Sequence, residues 1–247
     1  MLTLMWDHKT NKNSQQAGFT IVELMIALSV LSVLLVMSSV ILIQIGNLYS
    51  KGVNASKIQD ATRSVTADLT GTLEFSGQAP AGGCGTPSPK TTCYTQVTPG
   101  EVPVYSYCIG KVRYSYILGH KLSDSPRNDD TYHESYHVLW RDTMKTTDKC
   151  PPLKLLDPGA PNDSQSSGDG YEMVPHNVRL TRFKVEQTPA ASGIYNIDVW
   201  MAYGDDDLVN TQGDSGAQPG HSTCSGDRGT QYCAVSEIST SATRRLN

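Results

Sequence analysis

No charged residue interrupts the stretch from Leu24 to Ile43, and its only polar groups are Ser29, Ser32, Ser38 and Ser39. About 20 apolar residues at a rise of ~1.5 Å span the ~30 Å hydrocarbon core of a bilayer. That length argues against a core helix of a soluble domain and for a membrane helix or a very long signal core. The chain also lacks a glycine-rich phosphate loop, so any motor that acts on it must be another protein. It lacks the Gly-x-Ser-x-Gly elbow of serine hydrolases. No Cys-x-x-Cys pair occurs, which disfavours a zinc site built from cysteines. An excess of basic charge is absent as well: 20 Lys and Arg stand against 24 Asp and Glu, a balance of −4. This argues against nucleic-acid or anionic-lipid binding through the bulk surface and leaves room only for a local basic patch.

What is present begins with one misplaced charge. Glu23 sits at the start of the apolar run, five residues after Gly18. An ionisable group at that depth is costly and implies a function with a named partner. Gln15-Gln16-Ala17-Gly18 just before it is polar and then small, a processing site ahead of the apolar segment; a secretory signal is cut behind it. Cleavage after Gly18 would make Phe19 the new amino terminus, whose ammonium and the Glu23 carboxylate are complementary, within one helix or between neighbouring subunits. Lys9 and Lys12 precede the helix, so the leader stays cytoplasmic and the remainder is translocated. Cleavage removes Lys9, Lys12 and Asp7, and the 20 basic and 24 acidic residues fall to 18 and 23, a balance of −5.

Gly18-Phe19-Thr20-Ile21-Val22-Glu23-Leu24-Met25-Ile26-Ala27 resembles the cleavage and methylation motif of type IV pilins and type II secretion pseudopilins. The resemblance implies cleavage after Gly18 by a prepilin peptidase, N-methylation of Phe19, and assembly through Glu23 into a helical fibre. It implies other pilin or pseudopilin subunits, the peptidase/methyltransferase, an inner-membrane assembly platform and membrane lipid as partners. The implied protein is a structural subunit, not an enzyme. It would start as a single-pass cytoplasmic membrane protein with an exported domain and end in an extracellular or periplasmic filament. Ala202-Tyr203-Gly204-Asp205 and the terminal Arg244-Arg245 loosely resemble larger minor pilins of the PilW or J-pseudopilin type.

All six cysteines lie beyond position 83, on the exported side. In an oxidising compartment an even number reads as disulfides, though sequence alone does not choose among the pairings. Cys84–Cys93 and Cys224–Cys233 enclose Gly, Pro, Ser and Thr like pinched loops, which would leave Cys108 with Cys150.

After Ile45, Ile58, Ala61, Val65, Leu69 and Leu73 recur at helical spacing with charges between them, an amphipathic continuation with one apolar stripe. Gly46 and Gly52 could loosen it, and Gly71 begins its end, completed by Pro80 to Gly83. Val104 to Leu118 reads as a hairpin around Gly110-Lys111, Tyr136 to Arg141 as a strand, and Asp157 to Gly170 as a solvated loop. Val178 to Val185 and Ile194 to Tyr203 alternate as strands, and a short last strand runs from Cys233 to Ser239. The expected architecture is α+β: a long N-terminal helix packed on an antiparallel β-sheet. It divides into a leader (1–18), a transmembrane or fibre-core helix (19–49), an amphipathic continuation (50–78) and an exported β-rich domain (79–247).

Two constellations carry alternative chemistry. His133-Glu134-Ser135-Tyr136-His137 fits His-Glu-x-x-His, which on a helix binds zinc with the glutamate as base of a hydrolase. Here polar Asn128 to Thr131 precede it, and Tyr132, Tyr136, Val138 and Trp140 favour a strand, which would hold the two histidines about 13 Å apart. Asp205, Asp206 and Asp207, with Asp214 nearby, could offer oxygens to calcium in an adhesive module, without the alternate spacing of an EF-hand. The plainer reading of that run is a solvated hairpin tip, with no cofactor.

Overall fold

The computed structural model describes residues 18–77, 81–82, 93–94, 102–125, 134–146, 150–188, 193–211, 221–225 and 229–245. It separates into two compact units, Met1–Gly46 and Asn47–Asn247. The leader up to Ala17, Cys84, His133, Asp214 and the Cys93 side chain lie outside the described residues.

Helix α1 runs Ile21–Phe75. Gly46, Gly52 and Gly71 are all helical, so the stop expected at Gly71 does not occur. A helical glycine costs about 1 kcal/mol relative to alanine, and full burial of an apolar side chain returns about 2 kcal/mol. Leu69 and Leu73, both fully buried, flank Gly71 and outweigh its cost. The stop comes at Gly77, in the left-handed region at φ 65°, after the Ser76 amide bonds the Thr72 carbonyl at 2.9 Å. This is the glycine cap that a side chain with a Cβ would strain.

Among its described residues the second unit adds thirteen strands. The short ones are β1 (Ala81–Gly82), β2 (Cys93–Tyr94), β5 (Lys121–Leu122), β6 (Glu134–Ser135), β8 (Tyr171–Glu172), β11 (Val209–Thr211) and β12 (Ser222–Cys224). The long ones are β3 (Tyr105–Ile109), β4 (Val112–Tyr116), β7 (Leu139–Thr143), β9 (Val178–Gln187), β10 (Ile194–Tyr203) and β13 (Ala234–Thr243). One sheet has the order β1-β3-β4-β7-β8, with β2 also on β3; the other has the order β13-β10-β9-β5-β6; β11 and β12 form a separate ribbon. All pairings are antiparallel except β5 with β6. The fold is therefore α+β, with one long helix and mostly antiparallel sheets.

Ile58, Val65, Leu69 and Leu73 of α1 join Tyr107, Tyr114 and Tyr116 of one sheet and Leu180, Phe183, Ile197 and Val199 of the other in a single core. The Tyr116 and Phe183 rings lie 4.5 Å apart across it. Three expectations need correction. The strand expected over Tyr136 to Arg141 begins only at Leu139, as β7, and β6 ends before it at Ser135. The Ser135 hydroxyl bonds the His137 carbonyl at 2.9 Å, and the amides of Val138 and Leu139 donate to the Glu172 carboxylate, so local side-chain bonds replace the ladder there. The last strand is longer than expected, because the Ser/Thr-rich stretch to Thr243 follows β10 in register over its whole length. The loop from Asp157 to Gly170 is not simply solvated: Pro161 and Ser166 are buried within it.

Candidate functional site

The helix start is built by its own side chains. The Thr20 amide and hydroxyl both donate to Glu23 Oε2 at 3.0 Å, and the Glu23 amide donates to the Thr20 hydroxyl at 3.2 Å. This reciprocal capping box satisfies amide groups that have no partner inside the helix and sets its first residue at Ile21. Glu23 also complements the positive end of the helix dipole. The sequence reading named Glu23 and overlooked Thr20, although Thr-x-x-Glu before an apolar run is the written signal for such a cap. Phe19 is 89% exposed. A Cβ placed on Gly18 would meet no described atom within 4 Å, so packing in this chain does not demand glycine there. Any demand for it comes from what binds the segment.

Behind the cap every side chain from Ile21 to Tyr49 is exposed. This part of α1 contains a window long and apolar enough to cross a bilayer, none of it buried within the chain. The four serines inside it turn their hydroxyls back on the helix. Ser29, Ser32, Ser38 and Ser39 donate to the carbonyls of Ile26, Ser29, Leu34 and Leu35 at 2.8–2.9 Å. They therefore add little polar surface to the apolar cylinder.

The rest of α1 is fastened to the sheets by one polar network. The Tyr114 hydroxyl donates to Asp68 at 2.6 Å and lies 3.0 Å from the Thr72 hydroxyl, while Arg141 Nε donates to the same Asp68 oxygen at 3.0 Å. Burial, and then the Asp68 carboxylate, push the Tyr114 phenol above its ordinary range, so it stays a proton donor. Asn54 Nδ2 donates to the Gln231 carbonyl at 3.2 Å near the other end of the stripe.

The second unit holds two disulfides among the described residues, Cys108–Cys150 and Cys224–Cys233. The third expected pair, Cys84–Cys93, lies outside them. Cys108 faces Arg113 across the β3–β4 pair, and Arg113 is fully buried. Its guanidinium grips Asp142 with two bonds of 2.9 and 2.7 Å, reaches Asp163 at 2.8 Å and donates to the Pro151 carbonyl at 2.8 Å. Burial favours the neutral form of Asp163, but Arg113 and the amides of Ser166 and Gln165 outweigh it and hold the carboxyl below its ordinary value. In sequence Arg113 looks like the solvent-facing member of an alternating strand. It is instead the post over which the 150–170 segment folds, and no local pattern links it to Asp163.

The acidic turn is already matched by cations. Asp205 accepts from Lys121 Nζ at 2.9 Å, and Asp206 pairs with Arg179 at 2.6 Å. Lys121 also reaches Glu134 at 3.4 Å. Burial would lower the Lys121 ammonium, yet Asp205 and Glu134 hold it above its ordinary value. Two of the three candidate calcium ligands thus serve to cover Lys121 and Arg179, which are themselves buried. Glu134, the would-be base of the zinc pattern, lies on a strand paired with Lys121 and not on a helix. His137 is 2.8 Å from the Gly159 carbonyl and packs edge-on against Trp140 at 4.8 Å. Among the described residues no three His, Cys, Asp or Glu side chains cluster as a metal would require.

No curated protein and no solved structure matches the chain. At its amino-terminal end the outcome differs, and it bears on the residues that build the capped helix start. Residues 13–39 match the family model described as the prokaryotic N-terminal methylation motif, the prepilin-type segment, which supports a structural subunit of the type IV pilin and pseudopilin kind.

Proposed function

We propose that this chain is a minor, tip-located subunit of a type IV pilus or a type II secretion pseudopilus. The observation that carries this reading is the match over residues 13–39, which ends inside an apolar helix exposed on every side. Processing after Gly18 leaves Phe19 as the amino terminus. The segment from Phe19 to about Tyr49 anchors the subunit in the cytoplasmic membrane and then packs among other subunits in the fibre core. There Glu23 neutralises a neighbouring Phe19 ammonium, an attraction strengthened by low dielectric. The domain beyond it is exported, where its disulfides persist. A chain of this length with pinned loops suits a cap more than a repeating unit. Its work is assembly, and no catalytic step is assigned to it.

The test is the mass of the amino-terminal peptide from sheared filaments and from the envelope. A peptide beginning at N-methylated Phe19 in the filament fraction is expected, with few copies relative to the main subunit. A chain that keeps Met1 to Gly18, or is cut behind the apolar segment, overturns the reading.

A further inference from the structure

The 150–170 segment is fastened in two different ways along its length. Its first part is rooted by covalent and apolar contacts. Cys150 is tied to Cys108, and Leu153 and Leu155 are buried in one cluster with Val104, Ile117 and Trp140. The Leu153 amide also donates to the buried Ser115 hydroxyl at 3.1 Å. The chain just past its far end is equally fixed. Tyr171 and Glu172 pair with Arg141 and Trp140 as β8, and the Glu172 carboxylate accepts from the amides of Val138, Leu139 and Val174.

Between these roots the chain changes character. From Asp157 to Gly170 the only buried residues are Pro161 and Ser166. Polar latches hold the rest. Arg113 donates to Asp163 at 2.8 Å, and His137 Nε2 lies 2.8 Å from the Gly159 carbonyl. The Ser167 amide donates to the Thr143 carbonyl at 2.8 Å, and the Lys145 amide donates back to the Gln165 carbonyl at 2.8 Å. Buried apolar surface is what makes a local opening costly, and this stretch carries little of it. The closed state also leaves bonds unmade. A Cβ built on Gly170 would overlap the Trp140 indole nitrogen, so the segment closes directly onto that ring. Trp140 Nε1, His137 Nδ1 and Gln165 Oε1 are buried with no hydrogen-bond partner among the described residues. Opening gives each of them water, which offsets part of what the latches contribute.

We infer that residues 157–170 form a flap that opens as one unit while the rest of the second unit stays folded. The root from Cys150 to Leu155 and strand β8 stay in place and act as its two hinges. Trp140 and Asp142 point to the same side of β7, and Arg113 lies opposite Asp142 in register. The open flap therefore presents the Trp140 indole, the His137 ring and the Arg113–Asp142 pair together. The closed flap keeps Trp140, Arg113 and Asp142 buried. Access to this side of the sheet is set by the latches at Asp163 and Gly159.

The test is native-state hydrogen exchange of the full chain in detergent, read at single amides. The Lys145 and Ser167 amides are the reporters, because each bonds across the boundary of the flap and neither is bonded to Asp163 or His137. Both are expected to show one common protection, at least about a hundredfold below that of the β4 amides. Their exchange should rise little in low urea, since the flap exposes little surface, whereas that of β4 should rise steeply. Asp163→Asn weakens one latch and leaves Arg113 paired with Asp142. It should lower the protection of both reporters about tenfold, the effect of ~1.4 kcal/mol. His137→Phe removes the other latch, keeps a ring against Trp140, and should lower both reporters by a common factor. Reporters as protected and as urea-dependent as β4 would mean that the segment opens only with the whole unit. An Asp163→Asn effect confined to Gln165 and Ser166, whose amides Asp163 binds itself, would mean that it opens piecemeal. Either outcome overturns the inference.

Discussion

The leading and trailing stretches of α1 share one helical geometry and opposite fates. From Ile21 to Tyr49 every side chain is exposed, although almost all are apolar. From Asn54 to Leu73 the apolar positions are buried one face at a time and the charged ones stay out. The first stretch is apolar all round, the composition suited to lipid or to other helices. The second has a single stripe and needs only one covering surface, which the two sheets supply. Helix formation is common to both; what differs is whether the chain itself provides the partner.

The sharpest way to break the comparison is Glu23→Ala. It should abolish incorporation into filaments while leaving the stability of the second unit unchanged; normal amounts of the variant in sheared filaments would refute the assembly role. Next is a matched pair of core-style truncations, Leu69→Ala and Leu31→Ala, followed by urea unfolding of the full chain in detergent. The first should cost about 2–5 kcal/mol, as for a fully buried leucine. The second should leave the same transition in place. Equal losses would mean that the two stretches are not distinct in burial.

A smaller effect separates the post at Arg113 from the helix. Asp163 is held below its ordinary pKa of 3.8, so its contribution is fully present above that value and is lost as pH falls through the lower folded value. The stability gap between the native chain and Asp163→Asn should be widest near neutral pH and close toward the acid end. A gap that persists unchanged into acid would remove Asp163 from this role. The smallest expected effect is Tyr114→Phe, which deletes the donor to Asp68 but leaves Arg141 on the same carboxylate. It should cost about 1 kcal/mol in the same unfolding measurement, and a loss as large as that of Leu69→Ala would show that the network does more than register the helix.

Much of this molecule was legible residue by residue. The span, the Gly18 to Glu23 motif, the β3–β4 hairpin and the limits of β10 all rest on patterns within about twenty neighbouring residues. The Thr20 cap is equally local, since Thr-x-x-Glu spans four residues. The stop at Gly77 was harder. Gly71 and Gly77 look alike in sequence, and only the burial of Leu69 and Leu73 decides which of them is read through. Asp157 to Gly170 reads as free loop for a similar reason, since the Arg113 that anchors its Asp163 lies 50 positions upstream.

By itself the sequence determined where the helix can leave water, which carboxylate stands at its mouth, and which stretches alternate as strands. These follow from spacing and side-chain chemistry acting over one or two turns. Tertiary structure alone decided that Arg113 is buried against Asp142 and Asp163, and that Asp205 and Asp206 answer Lys121 and Arg179. Each joins residues separated by tens of positions, and the free energy of such a contact depends on what the rest of the chain has already excluded from water.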